Sequence, residues 1–149
     1  MNQKADVGEV LAQIRGGGDL TPLLQMIPYA RFLGLRVEST DDGVLACMPG
    51  SERLTGNPVL PALHGGTVGA LMECTAIFQL LAEVPLIAVP KTVNVTVDYL
   101  RSGRIVDTFA RASITKHGRR VASVHVRAWQ ADEAKPIASA QAHFLLKNA

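Results

Sequence analysis

The stretch HGGTVGALMECTAIFQLLAEVP, residues 64–85, decides the fold. Val68, Leu71, Met72, Ile77, Phe78, Leu80 and Leu81 put apolar side chains on nearly every face of a helix, and Pro85, which cannot extend the hydrogen-bond ladder, stops it. A helix apolar all round belongs in the middle of something. Glu73, Gln79 and Glu83 interrupt the apolar run from Thr67 to Val84, and that run is short for a bilayer. The segment therefore predicts a buried helix in a soluble protein.

Strand patterns surround it. Thr92 to Arg101 alternates Val93, Val95, Val97 and Tyr99 against Thr92, Asn94, Thr96 and Asp98. Three further strands are expected at Thr108 to Lys116, Val121 to Trp129 and Pro136 to Leu146, with gaps at 117–120 and 130–135 short enough for antiparallel hairpins. Upstream, Leu33, Leu35 and Val37 alternate within Phe32 to Glu38, and Asp41-Asp42-Gly43 supplies a turn before Val44 to Met48. Pro49 to Leu63, with three prolines, two glycines and Asn57, reads as irregular loop. Weak helical periodicity from Val7 to Ile27, broken at Gly16-Gly17-Gly18, makes a peripheral lead-in.

Two strands, one central helix, then four strands is an α+β order in which an antiparallel sheet covers a single apolar helix. The whole chain, 1–149, reads as one domain, with a helical lead-in over 1–30 and a core over 32–146. One sheet cannot bury that helix from every side. Its exposed remainder and the sheet edges imply a second subunit, so a homo-oligomer is expected.

Composition narrows the partners. With 48% apolar and 19% charged residues and a net charge of +2, nucleic acid is not an expected partner, and any anionic ligand should be small. Cys47 and Cys74 lie outside any CxxC or Cys/His cluster, which argues against a disulfide framework or a structural zinc site. The first ten residues lack the apolar centre of a signal peptide, so a cytoplasmic location is the expectation.

Glu73 is the residue that most calls for chemistry. Its helical neighbours at three and four residues, Gly69, Ala70, Ala76 and Ile77, offer a carboxylate nothing to pair with. A glutamate reaching solvent or a distant basic group is the plain alternative. Against it, small residues one turn earlier leave room for a ligand, and a desolvated carboxylate gains basicity, as a nucleophile or general base requires. His64-Gly65-Gly66 stands at the helix start, where backbone N–H groups and the helix dipole favour an oxyanion. A strain-relieving turn is the alternative here. The nine residues from Gly65's neighbourhood to Glu73 span about 13 Å of helix, so a site sharing both is expected between two subunits.

H-G-G-T-V-G-A-L-M-E, residues 64 to 73, closely resembles the signature of hotdog-fold acyl-CoA thioesterases of the PaaI-like and hydroxybenzoyl-CoA thioesterase group, where HGG is followed at this spacing by Asp or Glu. T-V-N-V-T-V-D-Y-L-R, residues 92 to 101, is similar to the family's strand after the helix, and K-H-G-R-R-V, residues 116 to 121, to its following hairpin. The resemblance covers roughly Phe32 to Leu146. It implies hydrolysis of an acyl-CoA to acid and CoA without metal or redox cofactor. Gly65 would polarise the thioester carbonyl, the partner subunit's Glu73 would attack it or activate water, and His64 would position the loop or the carbonyl. Thr92 matches a position where relatives carry a water-holding hydroxyl, with an ordinary strand residue as the alternative. Asn57 lies seven residues before His64, where relatives place Asn or Gln six before; it reaches the site or only shapes the turn.

For CoA, the resemblance implies contacts from Gly66, from Tyr99, Leu100 and Arg101, and from Lys116, His117, Gly118, Arg119 and Arg120, whose basic cluster suits phosphates. A solvated turn is the alternative for the cluster, and Ser102 stands where the family has proline. Arg104 is a further candidate. His125, His143, Trp129 and the cysteines read as strand and packing residues. The rivals for function are a non-catalytic acyl-CoA-binding subunit and a hotdog acyl dehydratase.

Overall fold

The computed structural model describes residues 6–15 and 18–148; Gly16 and Gly17 of the expected glycine break lie outside them. Three short helices come first: α1 (Val7–Ile14), α2 (Thr21–Met26) and α3 (Pro28–Leu33). Asp6 caps α1 by accepting the Gly8 N–H at 3.0 Å, and Pro28 opens α3, where a missing N–H costs nothing. Val10, Leu11, Ile14, Leu20, Leu23, Leu24 and Leu33 are buried in the main core, and the Arg15 guanidinium donates to the Leu86 carbonyl at 2.7 Å. The lead-in is thus part of the core and not peripheral.

The first strand starts later than the alternation of Leu33, Leu35 and Val37 predicts. Phe32 and Leu33 finish α3, Gly34 closes it in the left-handed region at φ 70°, and β1 runs Arg36–Thr40. A helix C-cap that glycine alone supplies cheaply overrode the two-residue period. The turn at Asp41-Asp42 then joins β1 to β2 (Gly43–Met48) in antiparallel register, Thr40 opposite Gly43. Buried Gln79, from the central helix, accepts the Val44 N–H at 2.7 Å and also donates to Glu83. Gly43 is tied to that contact, since a Cβ there would come within 2.8 Å of the Gln79 side-chain oxygen.

The expected loop from Pro49 to Leu63 carries structure of its own: a 3₁₀ turn at Glu52–Leu54 and a small two-stranded sheet of β3 (Thr55–Asn57) and β4 (Ala62–Leu63). The central helix α4 follows as Gly65–Glu83. After it come β5 (Lys91–Tyr99), β6 (Thr108–His117), β7 (Val121–Trp129) and β8 (Ala138–Leu145).

The large sheet is wholly antiparallel, in the order β1-β2-β6-β7-β8-β5, so β1 and β5 are its edges. Its inner face is rich in alanine: Ala46, Ala110, Ala112, Ala122, Ala128, Ala138, Ala140 and Ala142 are all buried. Side chains this small let the sheet curve closely around α4, whose Leu71, Met72, Ala76, Phe78 and Leu80 are fully buried against it. An antiparallel sheet wrapped around one apolar helix is the hotdog architecture the resemblance implies.

Coverage stops before the helix is enclosed. Gly66, Gly69, Ala70, Glu73, Cys74 and Ile77, at three- and four-residue spacing, remain exposed or half-buried along one stripe of α4. Beside this stripe runs β5, where Val93 is 57% exposed and Tyr99 56%.

Candidate active site

Chemistry-bearing residues collect where the uncovered stripe of α4 meets β5. Glu73 is half-buried within the single chain, and its Oε1 accepts the Thr92 hydroxyl at 2.6 Å. This contact depends on a defect in β5. Tyr99, Val97 and Val95 lie opposite the inward residues Ala138, Ala140 and Ala142, but the register then slips: Thr92 pairs with Phe144 while Asn94 pairs with His143. A bulge at Val93 therefore puts Thr92 on the inner face, where strict alternation would aim it outward. The expected alternation through Val93 fails there, and the failure delivers the hydroxyl to the carboxylate.

The helix start is held from three sides. His64 is its N-cap, and the ring Nδ1 accepts the Gly66 N–H at 2.9 Å. The backbone N–H of His64 donates to the Leu54 carbonyl at 2.8 Å, and Gly56 lies so close that a Cβ there would sit 2.5 Å from the His64 Cα. From β5, the Tyr99 hydroxyl donates to the Gly65 carbonyl at 2.7 Å. A Cβ on Gly65 would meet the Tyr99 ring at 3.0 Å, and one on Gly69 would meet the Tyr99 hydroxyl at 3.6 Å. The glycine at 65 makes room for the Tyr99 ring. The Gly65 N–H has no partner among the described residues, as expected for the first residue of a helix, while the Gly66 N–H is occupied by His64.

A pocket of about 420 Å³ opens beside this helix start, walled by Gly65, Val68, Tyr99, Leu100 and Arg101. The Leu100 and Arg101 N–H groups both donate to the Ile137 carbonyl, and the Arg101 guanidinium donates to the Pro136 carbonyl at 2.7 Å. A wider cleft of about 940 Å³ shares Arg101, Ser102 and Ile137 with the pocket and continues to Arg104 and Lys135.

Other expected residues sit elsewhere. The Asn57 side-chain oxygen accepts the Val59 and Leu60 N–H groups at 3.0 and 3.2 Å, so it shapes the turn between β3 and β4. Lys116, His117, Gly118, Arg119 and Arg120 form the tip between β6 and β7. There His117, Gly118 and Arg119 line a hollow with Val84 and Pro85, just past the C-terminal end of α4. The pocket at Gly65 lies at the other end. Within one chain the two sets of residues expected to contact CoA do not converge. His125 bonds Ser139 at 2.9 Å, and His143 bonds Asn94 at 2.7 Å. Among the described residues, no three His, Cys, Asp or Glu side chains gather in a metal-binding cluster.

The sequence reading missed the Tyr99 hydroxyl contact and the burial of Gln79. Two glycines four residues apart on one helix face, 65 and 69, were the visible sign that something bulky lies over them. The Cys74 thiol, next along the stripe, is pushed up to about 11 by burial and, secondarily, by the Glu73 carboxylate.

Residues 56–145, more than half of the chain, match the family model described as acyl-CoA thioesterase N-terminal domain. The chain belongs to this hotdog thioesterase family. A solved structure of a Chromobacterium violaceum protein is 36% identical, with a TM-score of 0.71, over 97% of this chain and 96% of that one. A thioesterase family protein from Silicibacter pomeroyi (22% identity, 93% and 99% of the chains, TM-score 0.77) shares the fold. So does a thioesterase from Haemophilus influenzae (23% identity, 87% and 91%, TM-score 0.73). No curated protein matches the sequence significantly.

Proposed function

We propose that the protein hydrolyses acyl-CoA thioesters to the free acid and CoA, in a site completed by two copies of the chain. The observation that carries this reading is Glu73, an acid on the uncovered small-residue stripe of α4, hydrogen-bonded by Thr92 and eight residues after a helix start whose Gly65 N–H is unpaired. A site built only to hold an apolar acyl chain gains nothing from a carboxylate there.

In this mechanism the Gly65 N–H donates to the thioester oxygen as it gains negative charge, aided by the positive end of the helix. Glu73 takes one of two routes. It takes a proton from an attacking water and passes it to the CoA thiolate as the C–S bond breaks. Or it adds to the carbonyl itself and expels the thiolate, leaving a mixed anhydride that water hydrolyses to the free acid, the regenerated carboxylate and the proton for the CoA thiol. Thr92 holds one carboxylate oxygen in place. Neither route needs a metal or a redox cofactor. The helix rise separates Gly65 from its own Glu73 by about 12 Å, too far for one thioester carbon to meet both, so the partner subunit supplies the acid.

A second copy also gives the uncovered stripe of α4 and the exposed side of β5 something to pack against. Arg101 and the cleft toward Arg104 and Lys135 offer cationic groups for CoA phosphates near Gly65. The 116–120 tip reaches the same ligand only from another subunit.

The test is thiol release from benzoyl-, phenylacetyl-, hexanoyl- and palmitoyl-CoA by wild type and Glu73→Ala. Wild type should release CoA from at least one, with kcat at least about a hundredfold lower in the variant, the scale of a lost acid-base group. Tight binding by wild type without cleavage would transfer the site to the non-catalytic acyl-CoA-binding class.

A further inference from the structure

The structure assigns Tyr99 as a positioning residue that acts through the Gly65–Gly66 peptide to fix His64 as its Nε2–H tautomer. This rests on the reading of the helix start as the carbonyl-binding end of a thioesterase site. The Gly65 carbonyl and the Gly66 N–H belong to one peptide unit. Tyr99 donates to its oxygen at 2.7 Å, and its N–H donates to His64 Nδ1 at 2.9 Å. A donor on the carbonyl polarises the peptide and makes its N–H a stronger donor. Tyr99, peptide and imidazole thus form one hydrogen-bonded row.

The consequence falls on His64. A ring nitrogen that accepts a hydrogen bond carries no proton, so in the neutral imidazole the proton is on Nε2. Among the described residues Nε2 has no partner, and the residue is exposed, which leaves its N–H free at a helix start whose Gly65 N–H is also unpaired. Because the His64 backbone is pinned by Leu54 and Gly56, the ring's position depends on this cap. Tyr99 is itself anchored, since the next two N–H groups bond the Ile137 carbonyl. The oxyanion end of the site is therefore braced from the edge strand.

Tyr99→Phe keeps the ring that walls the pocket and removes only the hydroxyl. The deciding measurement is the ¹⁵N spectrum of the His64 imidazole at a pH where it is neutral, assigned with His64→Gln, alongside kcat and KM. In wild type the His64 signals should show an unprotonated Nδ1 and a protonated Nε2. In Tyr99→Phe they should move toward a mixture of tautomers, with kcat about tenfold lower and KM within about twofold. Unchanged ¹⁵N signals in the variant overturn the proposal even if kcat falls, because the hydroxyl would then act on substrate directly. A wild type that hydrolyses no acyl-CoA sinks the thioesterase reading alone, since the tautomer is read without substrate.

Discussion

The two sides of helix α4 are made from one continuous sequence and serve different ends. On the covered side, Leu71, Met72, Ala76, Phe78 and Leu80 have essentially no exposed surface, and even the polar Gln79 is closed in by the β1–β2 turn. On the open side, Gly66, Gly69, Ala70, Glu73 and Cys74 are small or ionisable and remain within reach of solvent and of β5. The sheet's alanine face encloses the first side and stops short of the second. Stability is concentrated where the packing is complete, and the proposed chemistry lies where it is not.

Phe78→Ala should show the largest effect. It removes a fully buried aromatic from the covered side and should cost about 3–5 kcal/mol, read by denaturant unfolding. A loss under about 1 kcal/mol would mean that the covered side is not the main source of stability.

Cys74 tests the open side. With its thiol pushed up to about 11, the thiolate at pH 8 is about a hundredfold scarcer than at an ordinary cysteine, and alkylation should be slowed at least that much. Burial favours the neutral thiol. Its contribution to stability is therefore intact below the ordinary value of 9.0 and is lost as pH rises toward about 11. Alkylation at the rate of a free thiol would show that the stripe is far more open than the fold indicates.

The smallest effect is expected from Glu73→Gln. The Thr92 hydroxyl keeps an acceptor, so stability should change by no more than about 0.5 kcal/mol by calorimetry, even where turnover collapses. A loss above about 1 kcal/mol would make the carboxylate a structural tie between α4 and β5 and erase the contrast between the two sides.

How much of this was legible in the sequence varies by element. The central helix was readable because its apolar residues fill every face and Pro85 ends it, and the β1–β2 turn because Asp41-Asp42-Gly43 has few other uses. The bulge at Val93 was not, since a valine that slips register looks the same as one that alternates. The start of β1 was misread because Leu33, Leu35 and Val37 fit a two-residue period by coincidence, with Leu33 belonging to α3.

By itself the sequence determined which segments are apolar enough to be buried, and it placed an acid and a pair of glycines on one helix. Hydrophobic period and turn chemistry are local properties, and neighbouring residues suffice to express them. Only the tertiary structure decided that Thr92 meets Glu73, that Tyr99 braces Gly65, and that the 116–120 tip lies at the opposite end of α4 from the Gly65 pocket. Those contacts join residues 19 and 34 positions apart through sheet register and strand order, which no local pattern encodes.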